Sequence, residues 1–332
     1  MNTPKLFTTA INGAYSRYPD NNRPQLLAEA EKGYALGEIP QKDYIKALER
    51  ATVDIVAEVV TTGVMVACDG RLRPTNAIAQ ILEELHGFRN TSPDVYDPHF
   101  QAVKPVKWIH PILLDDFTFI KDISPIEIRP ALLGPLSLAL SCDTGSYGKD
   151  FDQLALDIAE ALNHELQELQ DAGAMYILVE EPELTINKDK ADLFKNISER
   201  LCKNVRSSII LGTSGGDILG LEDMLRDLPF SGIALDMIEG ENNQALFDNK
   251  FDWGDKILQL GVIDSTCEDV EATIDIAVKL IASAKHHPAS KIWVAPNKGL
   301  EDISRAASFN KLTKMVQGAE WARQEIIRRG ES

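Results

Sequence analysis

Apolar positions along the chain follow two rhythms. From Gln41 to Thr62, the residues Ile45, Leu48, Val53, Ile55, Val56, Val59 and Val60 recur with helical spacing, which predicts a long amphipathic helix. From Phe151 to Ala172, Leu154, Leu156, Ile158, Ala159, Leu162, Leu166 and Leu169 predict a second. Short apolar runs of strand length stand between such segments: Lys5–Ile11, Val64–Cys68, Ile126–Leu133, Met175–Val179, Ser208–Leu211, Gly232–Leu235, Leu258–Ile263 and Lys291–Ala295. Further helices are predicted near Lys190–Asn204, Leu219–Leu228, Val270–Ala284 and Asp302–Arg328. About eight strands separated by helices is the pattern of an α/β chain folded as a single (β/α)8 barrel over residues 1–332. Prolines 93, 98, 105 and 111 interrupt the stretch 89–122, which predicts an inserted hairpin with irregular flanks over the barrel mouth.

The apolar runs end in polar residues. Met175–Val179 runs into Glu180, Glu181 and Pro182, and an ionised pair of that kind is expensive to bury without water, a cation or a substrate amine. In a parallel barrel the strand ends share one face, so Asn12, Asp69, Ser137, Glu180, Glu181, Ser214, Asp236, Asp264 and Lys298 are expected to ring one pocket. The plainer alternative is that such residues are solvated loop positions. Arg17, in the loop after the first strand, fits an anion site or an ordinary surface arginine, and His110 fits a pocket cover or a surface histidine.

Composition narrows the classes. With 34 basic and 51 acidic residues the net charge is −17, which disfavours nucleic acid and anionic membrane surfaces as partners. The four cysteines, Cys68, Cys142, Cys202 and Cys267, lack any CxxC spacing and fit reduced thiols in a cytoplasmic protein. No apolar run is long enough for a transmembrane helix. The turn Ile11-Asn12-Gly13-Ala14 is not a dinucleotide fingerprint, and Gly212–Gly216 lacks the lysine and hydroxyl of a P-loop. No GxSxG, HExxH or EF-hand loop is present.

Several motifs in order resemble the catalytic, C-terminal half of cobalamin-independent methionine synthase and its single-barrel relatives. They are Phe7–Ile11, Cys68-Asp69-Gly70, Gly134-Pro135, Gly173–Leu184 with its Glu-Glu-Pro, Gly261–Asp264 and Trp293–Leu300. The resemblance implies a barrel of the uroporphyrinogen decarboxylase type and transfer of a methyl group to the sulfur of homocysteine or a related small thiol. It leaves the donor open between methyltetrahydrofolate and a methylcorrinoid such as methylcobalamin, the latter brought by a corrinoid carrier protein. It also implies zinc held by His-x-Cys, Glu and Cys, because a zinc-bound thiolate stays nucleophilic. The matching positions here are Gly212 and Ser214, Asp236, and Lys298, so no tightly bound metal is expected. A thiolate cluster of Cys68, Cys142 and Cys267 is the alternative, against simple packing cysteines.

On this reading Asp236, Lys298 and Glu181 form the altered reaction centre, with Lys298 offering positive charge to a thiolate. Glu180 and Glu181 receive an ammonium group, Asp69 helps to fix it, and Ser214 lines the site. Ile11, Asn12 and Gly13 offer backbone N–H groups to a carboxylate. A catalytically silent relative that binds ligand or partner, and a lyase or decarboxylase on the same barrel, are the competing functions.

Overall fold

The structure, a computed structural model, describes residues 5–20, 24–68, 76–92, 94 and 97–330. In chain order the strands are β1 (Thr8–Thr9), β2 (Val66–Ala67), β3 (His86–Asn90), β4 (Phe100–Lys107), β5 (Glu127–Ile128), β6 (Ala131–Leu133), β7 (Cys142–Asp143), β8 (Tyr176–Glu180), β9 (Ser208–Thr213), β10 (Gly232–Asp236), β11 (Ile257–Ile263) and β12 (Ile292–Pro296). The helices are α1 (Leu26–Ala35), α2 (Gln41–Thr62), α3 (Ala77–Leu82), α4 (Leu114–Ile123), α5 (Pro135–Leu140), α6 (Phe151–Asp171), α7 (Glu183–Ile186), α8 (Ala191–Leu201), α9 (Glu222–Asp227), α10 (Gln244–Asp248), α11 (Thr273–Ser283) and α12 (Arg305–Arg329). The fold is therefore α/β with parallel strands joined by helices, as the alternation predicts. Asp69 lies outside the described residues.

The chain divides into two compact units. The first comprises Met1–Arg73, Phe119–Ile128 and Val262–Ser332. Here β1 pairs in parallel with β12 (Thr8↔Trp293), Ala10 bridges Val66, and β2 pairs in parallel with β5. Helix α2 turns Leu48, Thr52, Ile55, Val56, Val59 and Thr62 inward at helical spacing and stops at Gly63, whose φ of 86° is the left-handed C-terminal cap.

The second unit comprises Pro74–Thr118 and Arg129–Gly261. Its parallel strands run in the order β6, β8, β9, β10, β11. Asp150 caps α6 by accepting from Gln153 N, and the apolar stripe of that helix packs against α5 and α8. Strand β4 pairs antiparallel with β3 and parallel with β7. The hairpin thus spans 86–107, and part of the stretch expected to be irregular is helix α4.

The run expected as one strand from Ile126 to Leu133 is broken at Arg129-Pro130. Pro130 has no N–H to donate. Arg129 is fully buried, and its Nη1 donates to Gln259 Oε1 at 2.7 Å.

Candidate functional site

Side chains alternate along a strand, and the register extends that alternation across the second unit. Leu178, Ile210 and Ala234 meet in one core cluster with Ala131. Two residues further along β8, β9 and β10 come Glu180, Gly212 and Asp236, so these strand tips share the face of that cluster; Glu180 is paired with Gly212. Glu180 is partly exposed, whereas Glu181 and Asp236 are buried.

Glu181 caps a helix. Its Oε1 accepts from Leu136 N at 3.0 Å, and its Oε2 accepts from Ser137 N at 2.8 Å and lies 2.6 Å from Ser137 Oγ. Burial pushes its carboxyl up to about 7, and the Ser137 and Leu136 hydrogen bonds only partly oppose that rise. The Ser137 hydroxyl serves both protonation states, donating to a carboxylate or accepting from a carboxylic acid. Gly134 is required here, because a Cβ at that position would overlap the Glu181 carboxyl. The Gly134-Pro135 and Glu-Glu-Pro motifs, 45 residues apart from Leu136 to Glu181, are thus two halves of one contact.

Asp236 also holds backbone. Its Oδ2 accepts from Gly215 N at 3.0 Å, and its Oδ1 accepts from Ile238 N and Glu239 N, both at 2.9 Å. Asn243, fully buried, joins the same loops: Nδ2 donates to Asp236 O at 2.7 Å and Oδ1 accepts from Ile218 N at 3.0 Å. Gly240 leaves the room that Asn243 occupies. Ser214 is partly buried between Thr213 and the anchored Gly215. The structure therefore shows Glu181 and Asp236 making anchoring contacts to backbone.

In the first unit the strand ends are built from amides. Asn12 Nδ2 donates to Pro296 O at 2.8 Å, and Asn297 Oδ1 accepts from Ser265 N at 3.0 Å and Ser265 Oγ at 2.7 Å. Lys298, next in sequence, is partly exposed. Ile11 N donates to Val66 O at 3.1 Å, so that N–H takes part in the strand pairing. Gly13 O accepts from Cys68 Sγ. Asp264 is held below the usual carboxylate range: burial opposes this, but Thr266 donates to it from both its backbone N at 2.8 Å and its hydroxyl at 2.6 Å. Lys311, fully buried, pairs with Glu271 at 3.1 Å, while Glu271 accepts from Asp264 N.

Other candidates have structural partners. Arg17 pairs with Glu31, and His110 lies exposed 3.4 Å from Glu84. Glu165 escaped sequence reasoning although it interrupts the apolar stripe of α6. It is fully buried and accepts from Trp108 Nε1, Ile112 N and Leu113 N. Asn243 carries no comparable signal in its Glu-Gly-Glu-Asn-Asn surroundings.

The zinc implied by the resemblance does not fit these residues. Gly212 has no donor, Lys298 is cationic, and both oxygens of Asp236 accept backbone N–H groups. Among the described residues no group of three or more His, Cys, Asp or Glu side chains is placed to hold a metal ion. No helix of the described residues is long and apolar enough to cross a membrane.

Parallel strands with polar tips, joined by helices, define an α/β protein. Residues 84–281 match the family described as "Cobalamin-independent synthase, N-terminal domain", and the chain belongs to that family. The family is the one the motifs resemble, and the domain matched is its N-terminal one. The chain is 26% identical over 340 residues to a methionine synthase of Saccharolobus solfataricus, an alignment covering 100% of this chain and 99% of the relative. It is 27% identical over 336 residues to a methionine synthase of Sulfurisphaera tokodaii, covering 99% and 96%. Among solved structures, a B12-independent methionine synthase from a Shewanella species, in complex with selenomethionine, matches with a TM-score of 0.83 at 18% identity, covering 97% of this chain and 99% of that one. A methyltransferase from Methanosarcina mazei matches with a TM-score of 0.65 at 15% identity, covering 96% and 94%. These two likenesses concern the fold.

Proposed function

We propose that this chain is a methyltransferase that moves a methyl group to the sulfur of homocysteine or a related small thiol. The observation that carries the reading is family membership over residues 84–281, supported by alignments to methionine synthases along the whole chain. The same reading takes the parallel strands as those of a closed (β/α)8 barrel.

Roles follow from burial. Glu180, partly exposed at the tip of β8, receives the substrate ammonium. Glu181 and Asp236 are positioning residues: one fixes the end of β8 on α5, the other fixes the loop that carries Ser214. Lys298 supplies positive charge that favours a thiolate. In the transfer the thiol proton passes to water, a sulfur lone pair forms the new C–S bond, and the donor's bond to the methyl carbon breaks with its electron pair retained by the donor. The donor is methyltetrahydrofolate or a methylcorrinoid, and no step is routed through zinc.

The test is methionine formation from homocysteine, measured by mass spectrometry with methyltetrahydrofolate in one arm and methylcobalamin in the other. Turnover in one arm, cut about tenfold or more by Glu180→Gln and by Lys298→Met, is the expected result. Homocysteine binding without turnover in either arm favours a second reading, a catalytically silent binding protein. The poor fit of the donor set to zinc is the observation behind that alternative.

A further inference from the structure

The first unit also contains a cluster of cationic side chains around two cavities. Two cavities of about 600 and 420 Å³ lie among α1, α2 and the start of α12, and Glu58 and Arg305 line both. Arg305 is only 6% exposed. Its Nε donates to both Glu58 oxygens at 3.2 Å, its backbone N donates to Asp20 Oδ1 at 3.2 Å, and its guanidinium lies 6.0 Å from the Tyr15 ring centroid. Tyr15 is buried and donates to Glu58 Oε1 at 2.8 Å, which holds Glu58 in turn. Among the described residues no hydrogen bond goes to the terminal nitrogens of Arg305, although its side chain lines both cavities.

More positive charge faces the larger cavity from α2. Lys46 and Arg50 are four residues apart and therefore share one helix face. Arg50 makes no ion pair among the described residues, and Lys46 has a solvent-exposed contact with Asp43 at 3.7 Å, which water screens. Among the described residues the lining carries Arg17, which pairs with Glu31, and Lys46, Arg50 and Arg305 against Asp54 and Glu58, in a chain whose net charge is −17. Pro19, Pro24 and Leu27 make the rest of the wall apolar.

The terminal N–H groups of Arg305 suit an oxyanion, because carboxylates take paired N–H donors from arginine. Cations on the α2 face provide for a second negative group, and the apolar wall provides for a short hydrocarbon segment. Metal ions and amines are excluded by the same charges. We propose that this cavity binds a small organic dicarboxylate, at a site separate in chemistry from the strand tips.

Isothermal titration of the full chain at low salt with glutarate tests the proposal, with neutral glutaramide and inorganic phosphate as comparison probes. The expected result is saturable glutarate binding, weakened about fivefold or more in Arg50→Ala and lost in Lys46→Ala/Arg50→Ala, with no binding of glutaramide and weaker binding of phosphate. Both substitutions replace exposed helix residues by a stronger helix former, and circular dichroism checks that the fold is kept. No glutarate binding up to about 20 mM, or binding that neither variant changes, would overturn the site. Phosphate binding as tight as glutarate would overturn the organic dicarboxylate.

Discussion

The strand ends of the two units solve one problem with different chemistry. After β8 and β10, buried carboxylates hold five backbone N–H groups, those of Leu136, Ser137, Gly215, Ile238 and Glu239. After β1 and β12, buried amides do the holding: Asn12 ties down Pro296 O, and Asn297 accepts from Ser265. A carboxylate gives stronger hydrogen bonds but carries a desolvation cost that depends on its proton; an amide is indifferent to pH. The difference makes the loops after β8 and β10 of the second unit sensitive to pH where the amide anchors of the first unit are not, although the first unit has its own strand-end carboxylate in Asp264.

The largest effect is expected at Asp236. Asp236→Ala leaves three backbone donors without their acceptor and should cost about 3–5 kcal/mol in urea unfolding, against about 1–3 kcal/mol for Asn297→Ala. Equal costs would remove the contrast between charged and neutral anchors. Gly134→Ala comes next: the added Cβ collides with the Glu181 carboxyl and should cost about 2–3 kcal/mol. In a double-mutant cycle with Glu181→Ala that cost should shrink, because the colliding group is gone; simple additivity would mean that the strain lies elsewhere.

The pH dependence is sharper as a diagnostic though smaller in size. With its folded value at about 7, above the ordinary 4.5, Glu181 binds its proton more readily in the folded chain. It therefore adds stability that is complete below about pH 4.5 and is lost as pH rises through about 7, by roughly 3 kcal/mol. Subtracting the profile of Glu181→Gln from that of the wild type should isolate this fall, and a flat difference would show a carboxyl that titrates alike in the folded and unfolded chain. Asp264 works in the opposite direction: held low, its contribution is present above about pH 3.8 and is lost as pH falls through its folded value. The smallest effect is expected from Ser265→Ala, about 0.5–1.5 kcal/mol and the same at pH 5 and pH 8.

Much of the fold was readable from spacing alone. Helix α2 begins and ends where its apolar rhythm does, and α6 differs from expectation by one residue at its end. The break at Arg129-Pro130 was signalled by proline, but a fully buried arginine inside an apolar run gives no local sign of its partner Gln259, 130 residues away. The candidate site was legible in part. Sequence marked Glu181 and Asp236 as polar ends on apolar strands, yet could not reveal that their oxygens meet backbone N–H groups from neighbouring loops. The contacts with Leu136, Ser137 and Gly215 join segments distant in sequence, whereas Ile238 and Glu239 lie only two and three residues beyond Asp236. Glu165 could have been noticed as a carboxylate in an apolar stripe, whereas nothing local distinguishes Asn243 from a loop residue.

The central claim is that the strand-end side chains of the second unit hold backbone, where the family resemblance implies metal ligands. Elemental analysis of zinc in protein purified without chelator tests it most directly. The expected result is zinc far below one equivalent per chain, unchanged by Asp236→Asn. One zinc per chain, lost in that variant, would contradict the account.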